Sequence, residues 1–405
     1  MGTALTPEAS ITPEASMSEL AAEPSAIQLE KPLKRMRVLL DARKLEDGGI
    51  GVYIQTLISA LIASGRVDLT LIAGRANLTQ YPWARQVKLV VDQARSYSFD
   101  EMFKMMRRID TGDYDLYHSP HYTLPYGAKL PTVVTVHDMI HVHHPERTYY
   151  PTLAKFLIRS ALKRADRVIA VSRSTFNELD YFTGEAAALN AKLRIVPNAI
   201  DPELIGGALD HEIAAAFVLN RFGIRGRYVL SVLSNAKPHK GIPDLLAAYQ
   251  SVRETRHSDL KLVLVGRGTE NMVEFERLIN TVGDSRGVHL LGHVSKEELR
   301  NLYAGAEALV VASMAEGFCL PVLEAQSLGT PVIARPVPAV LELLTSSDAA
   351  CRNFSVKALT EALLNLAGRS ERRVAAARTV DSGHLGKYCA AEISRSILQI
   401  YDEAF

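Results

Sequence analysis

The densest chemistry in this 405-residue chain lies in the stretch Ala315-Glu316-Gly317-Phe318-Cys319-Leu320-Pro321-Val322-Leu323-Glu324-Ala325. An apolar run ends near Ser313, and Pro321 suits the first turn of a helix, where its missing N–H would have no partner. The amides of Phe318, Cys319 and Leu320 then stand at a helix N-terminus. Unpaired N–H groups and the positive end of the helix dipole favour an anion there, such as a diphosphate. Gly317 lets the backbone approach a ligand closely. Glu316 precedes the helix and Glu324 lies about one turn inside it, so both carboxylates can face one cleft and accept hydrogen bonds from sugar or ribose hydroxyls. The plain alternative is a charge that suits the dipole and one solvated helix glutamate.

Two further groups could act with this stretch. Lys237-Pro238-His239-Lys240-Gly241 follows an apolar run, and a lysine beyond a strand C-terminus can reach a diphosphate as a point charge; an exposed loop lysine is the ordinary alternative. Thr135-Val136-His137-Asp138 closes another such run, and His137 there can hydrogen-bond a transferring sugar or a departing phosphate. His141, His143 and His144 follow closely, but their spacing matches no familiar ligand set and no cysteine lies nearby, so no metal site is expected. His118 and His121 could also face the cleft, but isolated histidines are more often structural. Asp113-Tyr114-Asp115 has the look of a metal-binding DxD sequence, yet its place just before an apolar run fits a turn and strand start better.

These groups need strands that end at one cleft. Arg35 to Asp41 is a short apolar run suited to a buried parallel strand, followed by the glycine loop Asp47-Gly48-Gly49-Ile50-Gly51 and then Val52, Leu57, Ile58, Leu61 and Ile62 at helical spacing. Strand, glycine turn and helix open a doubly wound domain. Apolar runs continue at Leu69 to Ala73, Val87 to Val91, Leu116 to His118, Thr132 to His137 and Arg167 to Val171, with a helix over Pro151 to Ala165 and a last strand at Arg194 to Asn198. The segment Ala199 to Gly226 holds one short helix and the domain boundary. The alternation then restarts: strands at Arg227 to Leu233, Lys261 to Gly266, Val288 to Leu291, Ala308 to Ala312 and Pro331 to Ala334. Helices are expected at Ile242 to Arg253, Asn271 to Val282, Lys296 to Ala304 and Pro321 to Leu328. The reading is α/β, with two Rossmann-like doubly wound domains facing a cleft. Residues 1–33 form a disordered tail carrying a duplicated TPEAS; 34–203 form the N-terminal acceptor domain, 204–385 the donor domain, and 386–405 a helix returning to the first domain.

Bulk properties narrow the function. Hydrophobic residues make up 47% and charged residues 22%, ordinary for a globular chain, and 46 basic against 45 acidic residues give a formal charge of +1. No general affinity for nucleic acid follows. Cys319, Cys351 and Cys389 form no ligand spacing and argue against a disulfide framework. The N-terminus lacks a basic and then apolar leader, and nowhere do about 18 apolar residues run together, so a cytoplasmic protein is expected. Met1-Gly2-Thr3-Ala4-Leu5-Thr6 fits the loose myristoylation pattern, which arises often by chance. Lys155, Arg159, Lys163, Arg164 and Arg167, with Met105, Met106, Arg107 and Arg108, could give the first domain a basic apolar face for peripheral contact with an anionic membrane and a lipid-linked acceptor; a solvated helix face is the alternative.

Taken in order, Gly48 to Gly51, His137-Asp138, Ala165 to Ser172, Pro197-Asn198, Pro238 to Gly241, Val265-Gly266, Leu291-Gly292-His293-Val294 and the Glu316 to Glu324 block resemble the retaining GT-B glycosyltransferases of the mannosyltransferase-type group 1 family (family 4-like), over roughly residues 36–345. The resemblance implies sugar transfer, mannose for instance, from a nucleoside diphosphate sugar such as GDP-mannose to a glycan or lipid-linked acceptor in cell-surface polysaccharide synthesis. Anomeric configuration would be retained, with no cofactor or divalent metal. Gly49 and Gly51 would let the glycine loop approach the donor diphosphate or the acceptor, His137 would contact the transferring sugar, and Lys240 would neutralise the leaving group. Val294 would contact the base through its backbone. Glu316 with the amides of Gly317, Phe318, Cys319 and Leu320 would hold sugar and phosphates, and Glu324 the ribose. Two departures stand out. Asn235 replaces an arginine that many relatives carry before the lysine, with His239 or Lys237 as substitutes, and Arg335-Pro336-Val337-Pro338 replaces a small, glycine-rich turn, leaving Glu342 only loosely comparable. A sucrose- or trehalose-type synthase and a catalytically silent binding scaffold are the competing readings. A dinucleotide oxidoreductase is disfavoured, because no GxGxxG sits at either first strand–helix turn.

Overall fold

A computed structural model describes residues 35–405 except 75–77, 146, 184–188, 190, 206–208, 234–236, 256–258, 267–272, 274–275, 278–279, 281–285 and 369–379. The tail at 1–33, Asn235 and much of the helix expected at Asn271 to Val282 lie outside the described residues.

Seven strands, β1 (Met36–Asp41), β2 (Val67–Ala73), β3 (Lys88–Val91), β4 (Leu116–Ser119), β5 (Thr132–Val136), β6 (Arg167–Ala170) and β7 (Leu193–Ile195), form a sheet in the order β3-β2-β1-β4-β5-β6-β7. Six more, β8 (Tyr228–Leu233), β9 (Lys261–Gly266), β10 (Val288–Leu291), β11 (Ala308–Val311), β12 (Val332–Ala334) and β13 (Ala349–Ala350), form a second sheet in the order β10-β9-β8-β11-β12-β13. Every pairing in both sheets is parallel. Helices therefore cover both faces, which is why Val133, Val134 and Val136 of β5 are all fully buried and the strands read as continuous apolar runs rather than alternating ones. Two such halves make the GT-B architecture. The strand order reverses between β1 and β4 in one sheet and between β8 and β11 in the other, and ligands of open α/β sheets bind beyond the strand ends at such points.

The helices used below are α1 (Gly48–Ala63), α2 (Tyr150–Arg164), α3 (Arg173–Thr183), α4 (Ile242–Arg253), α5 (Leu320–Ser327) and α6 (Ala390–Asp402). Helix α6 carries Ile393, Ile397, Ile400 and Tyr401 at helical spacing and buries them in the core of the first half, beside Ile54, Ile58 and Leu61 of α1. Each such side chain contributes about 1.5–3 kcal/mol on burial. The Tyr401 hydroxyl meets Nδ1 of His118 at 2.7 Å, whose Nε2 lies 2.9 Å from the Thr135 hydroxyl. Burial drives His118 down to about 3, so it is a neutral core histidine.

Several loop residues serve the scaffold. Asp115 accepts from the Arg37 backbone at 2.8 Å and its guanidinium at 2.6 Å, a strand-start role, while Asp113 closes a short turn. Met105 and Met106 are buried in the core, which corrects their assignment to an exposed apolar face: their short helix turns both inward to fill space beside Met102 and Tyr122. Arg108 is paired with Asp92 and Asp100. The two-residue strand β13 had no readable signal in sequence.

Candidate functional site

A cleft of about 650 Å³ lies between the ends of the two sheets. Gly49, His137, Lys240, Val294, Glu316, Gly317, Phe318, Cys319, Leu320 and Glu324 all line it, joined by Lys44, Asp47, Tyr97, Asp138, His141 and His239. Gly51 is the exception. It sits in the first turn of α1, where a Cβ would lie 2.4 Å from the Leu45 carbonyl oxygen, so its missing side chain serves the packing of loop on helix rather than the approach of a ligand.

The second-domain wall is built from strand-end loops. Cys319 caps α5 with a left-handed φ of 83°, and Pro321 follows within the first turn. The amides of Phe318, Cys319 and Leu320 donate to nothing among the described residues, leaving a helix N-terminus open to the cleft. Lys240 donates to Glu316 Oε1 at 2.8 Å, and Ser313 donates to the same oxygen at 2.6 Å. Burial lowers the Lys240 pKa, but the Glu316 carboxylate beside it outweighs that and the net direction is upward, so the ammonium stays charged. His239 is driven by burial to about 4 and offers hydrogen bonds, not charge, at neutral pH; of the two suggested substitutes for an arginine, only Lys237 carries a cation into the cleft.

Lys240 is held by backbone proximity. Gly241 has a φ of 66°, and a Cβ on it would meet the Ala312 carbonyl oxygen at 2.1 Å. Arg335, fully buried, donates to that same carbonyl at 3.1 Å and to Asp244 of α4 at 2.7 Å. The arginine that departs from the family turn thus braces the loop bearing Ser313 and Glu316. Glu324 is buried with its Oε2 accepting from the Tyr303 hydroxyl at 2.6 Å; burial pushes its pKa up to about 7, and that hydrogen bond only partly opposes it.

From the first domain, His137 reaches the cleft at the end of β5. Its Nε2 lies 2.9 Å from the Pro120 carbonyl oxygen. A carbonyl can only accept, so Nε2 carries the proton, and burial holds the ring below its usual range and therefore neutral, leaving Nδ1 as an acceptor. The two walls touch here. A Cβ on Gly317 would fall 1.8 Å from the His137 carbonyl oxygen, and the Thr175 hydroxyl lies 3.2 Å from that oxygen and 3.4 Å from the Gly317 oxygen. Nearby, the Glu342 carboxylate accepts from the backbone N–H groups of Arg173 at 2.8 Å and Ser174 at 2.6 Å, capping α3 across the domain boundary.

Residues 47–204 match the family described as Glycosyltransferase Family 4, and residues 220–379 match the one described as Glycosyl transferases group 1. The two matches together span most of the chain and both are to glycosyltransferase families, so the chain is a glycosyltransferase. It is 27% identical over 355 residues to the O-antigen chain mannosyltransferase B of Escherichia coli, covering 82% of this chain and 90% of that one. It is 28% identical over 259 residues to a phosphatidyl-myo-inositol mannosyltransferase of Propionibacterium freudenreichii, covering 60% and 58%. Among solved structures it resembles Anabaena HepE in complex with UDP and glucose, with a TM-score of 0.72 at 16% identity, covering 91% of this chain and 100% of that one.

Motif reading missed other groups in this glycosyltransferase. Lys44 and Tyr97 line the cleft without a surrounding motif. Tyr97 and Cys319 are the non-glycine residues with positive φ among those described, one on each wall, and such backbone costs about 1–3 kcal/mol. Asp41, Glu101 and His121 hold possible ligand atoms within 4.8 Å of one another, but the Arg43 guanidinium pairs with Asp41 at 2.6 Å and Glu101 at 2.7 Å. His121 is buried beside them and neutral, driven by burial to about 3.

Two outcomes follow. Gly317→Ala forces the walls apart and should lower transfer activity by about tenfold or more while thermal unfolding changes little, since a misplacement of about 1 Å at a reacting centre can cost 10²-fold. Second, Glu324 keeps its proton in the folded chain up to about pH 7 but loses it near 4.5 when unfolded, so its contribution to stability is full below about 4.5 and is lost as pH rises to about 7. The melting temperature of the wild type relative to Glu324→Gln should therefore fall across that window and level off above it; a flat difference would show that Glu324 is ionised throughout.

Proposed function

We propose that the chain transfers a hexose, mannose from GDP-mannose in particular, to a glycan or lipid-linked acceptor in cell-surface polysaccharide synthesis, with retained anomeric configuration and no divalent metal. The observation that carries this reading is the cleft itself, where Lys240, Glu316 and the open amides of α5 on one wall face His137 on the other. Mannosyltransferase relatives support the sugar, and the phosphatidyl-myo-inositol enzyme supports a lipid acceptor.

Each residue has a distinct task in this reading. The amides of Gly317 to Leu320 and the Lys240 ammonium stabilise the charge that grows on the departing diphosphate, donors already aimed where that charge develops. The Lys240–Glu316 pair keeps the ammonium charged and aimed before the donor arrives, and Glu316 then accepts from sugar hydroxyls. Nδ1 of His137 accepts from a hydroxyl of the transferring sugar. Glu324 accepts from the ribose, and the Val294 backbone meets the base. Because His137 and Lys240 come from different halves, turnover requires the closed cleft.

The first-domain surface supports peripheral membrane contact. Lys155, Phe156, Arg159 and Lys163 share one exposed face of α2, and Phe156 is 58% exposed. Arg164 leaves this face, stacking on Tyr126 and donating to the Leu124 and Pro125 carbonyls, and Arg167 pairs with Glu403. Among the described residues, no helix is long and apolar enough to cross a membrane.

Two measurements test the reading. GDP should raise the melting temperature, and Lys240→Ala should lower turnover of GDP-mannose by about 10²–10³-fold, the scale of one lost oxyanion donor; unchanged turnover would remove Lys240 from the chemistry, and transfer to free glucose instead of a glycan would favour the synthase reading. Sedimentation with vesicles of phosphatidylglycerol should retain the wild type and lose a Lys155→Glu, Arg159→Glu double variant, since each basic residue near an anionic surface is worth about 1 kcal/mol.

A further inference from the structure

The first-domain wall of the cleft holds a second set of groups that donor chemistry does not use. Lys44, Asp47, Tyr97 and His141 line it, opposite Lys240 and Glu316. Tyr97 stands in the left-handed region, with a φ of 63°, and it is not released from that conformation because its N–H donates to the Glu101 carboxylate. Glu101 is fully buried, and its other oxygen takes the Arg43 guanidinium at 2.7 Å and the Thr123 hydroxyl at 3.1 Å. Arg43 in turn grips Asp41 at the end of β1 and the Ala94 carbonyl, at 2.9 Å, three residues before Tyr97. A buried ion network at the end of the central strand thus fixes one strained tyrosine against the cleft. Strain held this way marks a functional position when the strained side chain reaches a cavity, as this one does.

The side chains around Tyr97 form a consistent surface. Its ring packs against Tyr122, with centroids 5.7 Å apart, and edge-on against His141 at 6.1 Å. The Lys44 ammonium sits 5.0 Å from the ring centroid and donates to Asp47 at 3.1 Å, with the lysine side chain only 8% exposed. We infer that Lys44, Asp47 and Tyr97 form the subsite for the accepting sugar, and that it takes a neutral hexose unit. Vicinal hydroxyls both donate and accept, which the Lys44–Asp47 pair matches with one donor and one acceptor side by side, and the tyrosine supplies an apolar flank for ring C–H groups. Charge argues for a neutral unit. Lys44 is matched by Asp47 and Arg43 by Asp41, so among the described residues the wall offers no unmatched cation for a phosphate at this point.

This inference rests on the glycosyltransferase reading, and the test separates the two. The full chain is saturated with GDP, or in parallel with UDP, and titrated with the methyl α-glycosides of mannose, glucose and galactose while saturation-transfer NMR reports contact. At least one glycoside should bind the wild type. Tyr97→Gly keeps the positive φ and removes the ring; Lys44→Met keeps the stem and removes the charge. Each should weaken glycoside binding by about tenfold or more, the loss expected when a charged hydrogen-bond donor (Lys44) or a packed aromatic flank (Tyr97) goes, while nucleotide affinity, read on the opposite wall, stays within about twofold. Glycoside binding that survives both substitutions overturns the subsite, and so does a wild type that binds nucleotide but none of the three glycosides. A glycoside phosphate that binds through Lys44 when the neutral glycosides do not overturns the choice of a neutral unit. Failure of the wild type to bind either nucleotide overturns the donor reading beneath it.

Discussion

The contact between the Gly317 backbone and the His137 carbonyl sets the terms for everything around it, because there is no room between them for even one methyl group. Protein interiors are close-packed and do not deform continuously, so a clash of that size is relieved by moving whole elements. The elements here are two sheets with separate cores. Bringing them this close places the open amides of α5 within one cavity with the imidazole at the end of β5. Thr175, between the two carbonyl oxygens, and Glu342, seated on the first amides of α3, add polar links between the halves at the same level.

Backbone intimacy recurs one layer further out. Gly241 presses on Ala312 as Gly317 presses on His137, and the buried Arg335 takes up the crowded Ala312 carbonyl together with Asp244. Lys240, Ser313 and Glu316 are therefore fixed by main-chain contacts more than by side-chain packing. A buried lysine and glutamate would each be costly alone; paired at 2.8 Å, with Ser313 satisfying the carboxylate further, they leave a charged ammonium in the same cleft as three amides without a partner among the described residues. The ion pair and the positive end of the α5 dipole, lining one cleft, are the electrostatic core of the site.

The two walls differ in how they are held. The second-domain wall draws on a helix terminus and glycine contacts, all local to strand ends. The first-domain wall depends on an ion network reaching from Asp41 through Arg43 to Glu101, which spans sixty residues of chain to hold a single tyrosine. Cys319 on one wall and Tyr97 on the other share a left-handed backbone that neither residue type prefers. Stability is given up at both points, and both face the cavity.

From sequence alone, the alternation of apolar runs with helical spacing was enough to determine the two doubly wound sheets, since parallel strands buried on both faces leave little ambiguity. The local geometry of the second-domain wall was equally legible: Gly317, Pro321, Glu324 and Lys240 sit in short stretches whose shape follows from strand end, turn and helix start. What remained hidden depends on distance through space. Gly51 looked like a ligand-facing glycine and proved to make room for Leu45, because residue type does not say which atom the missing side chain accommodates. Met105 and Met106 looked like a surface patch, and only the packing of their short helix turned them inward. Tyr97, Lys44 and Glu342 carry no local motif; beside near neighbours such as Asp47 and Glu101, contacts far along the chain place them, Lys44 on the Tyr97 ring, Tyr97 on Tyr122, and Glu342 on Arg173 and Ser174. Local backbone rules act over a few residues and can be read along the chain; burial, charge pairing and the closeness of the two walls are set by tertiary contacts, and only the folded chain decides them.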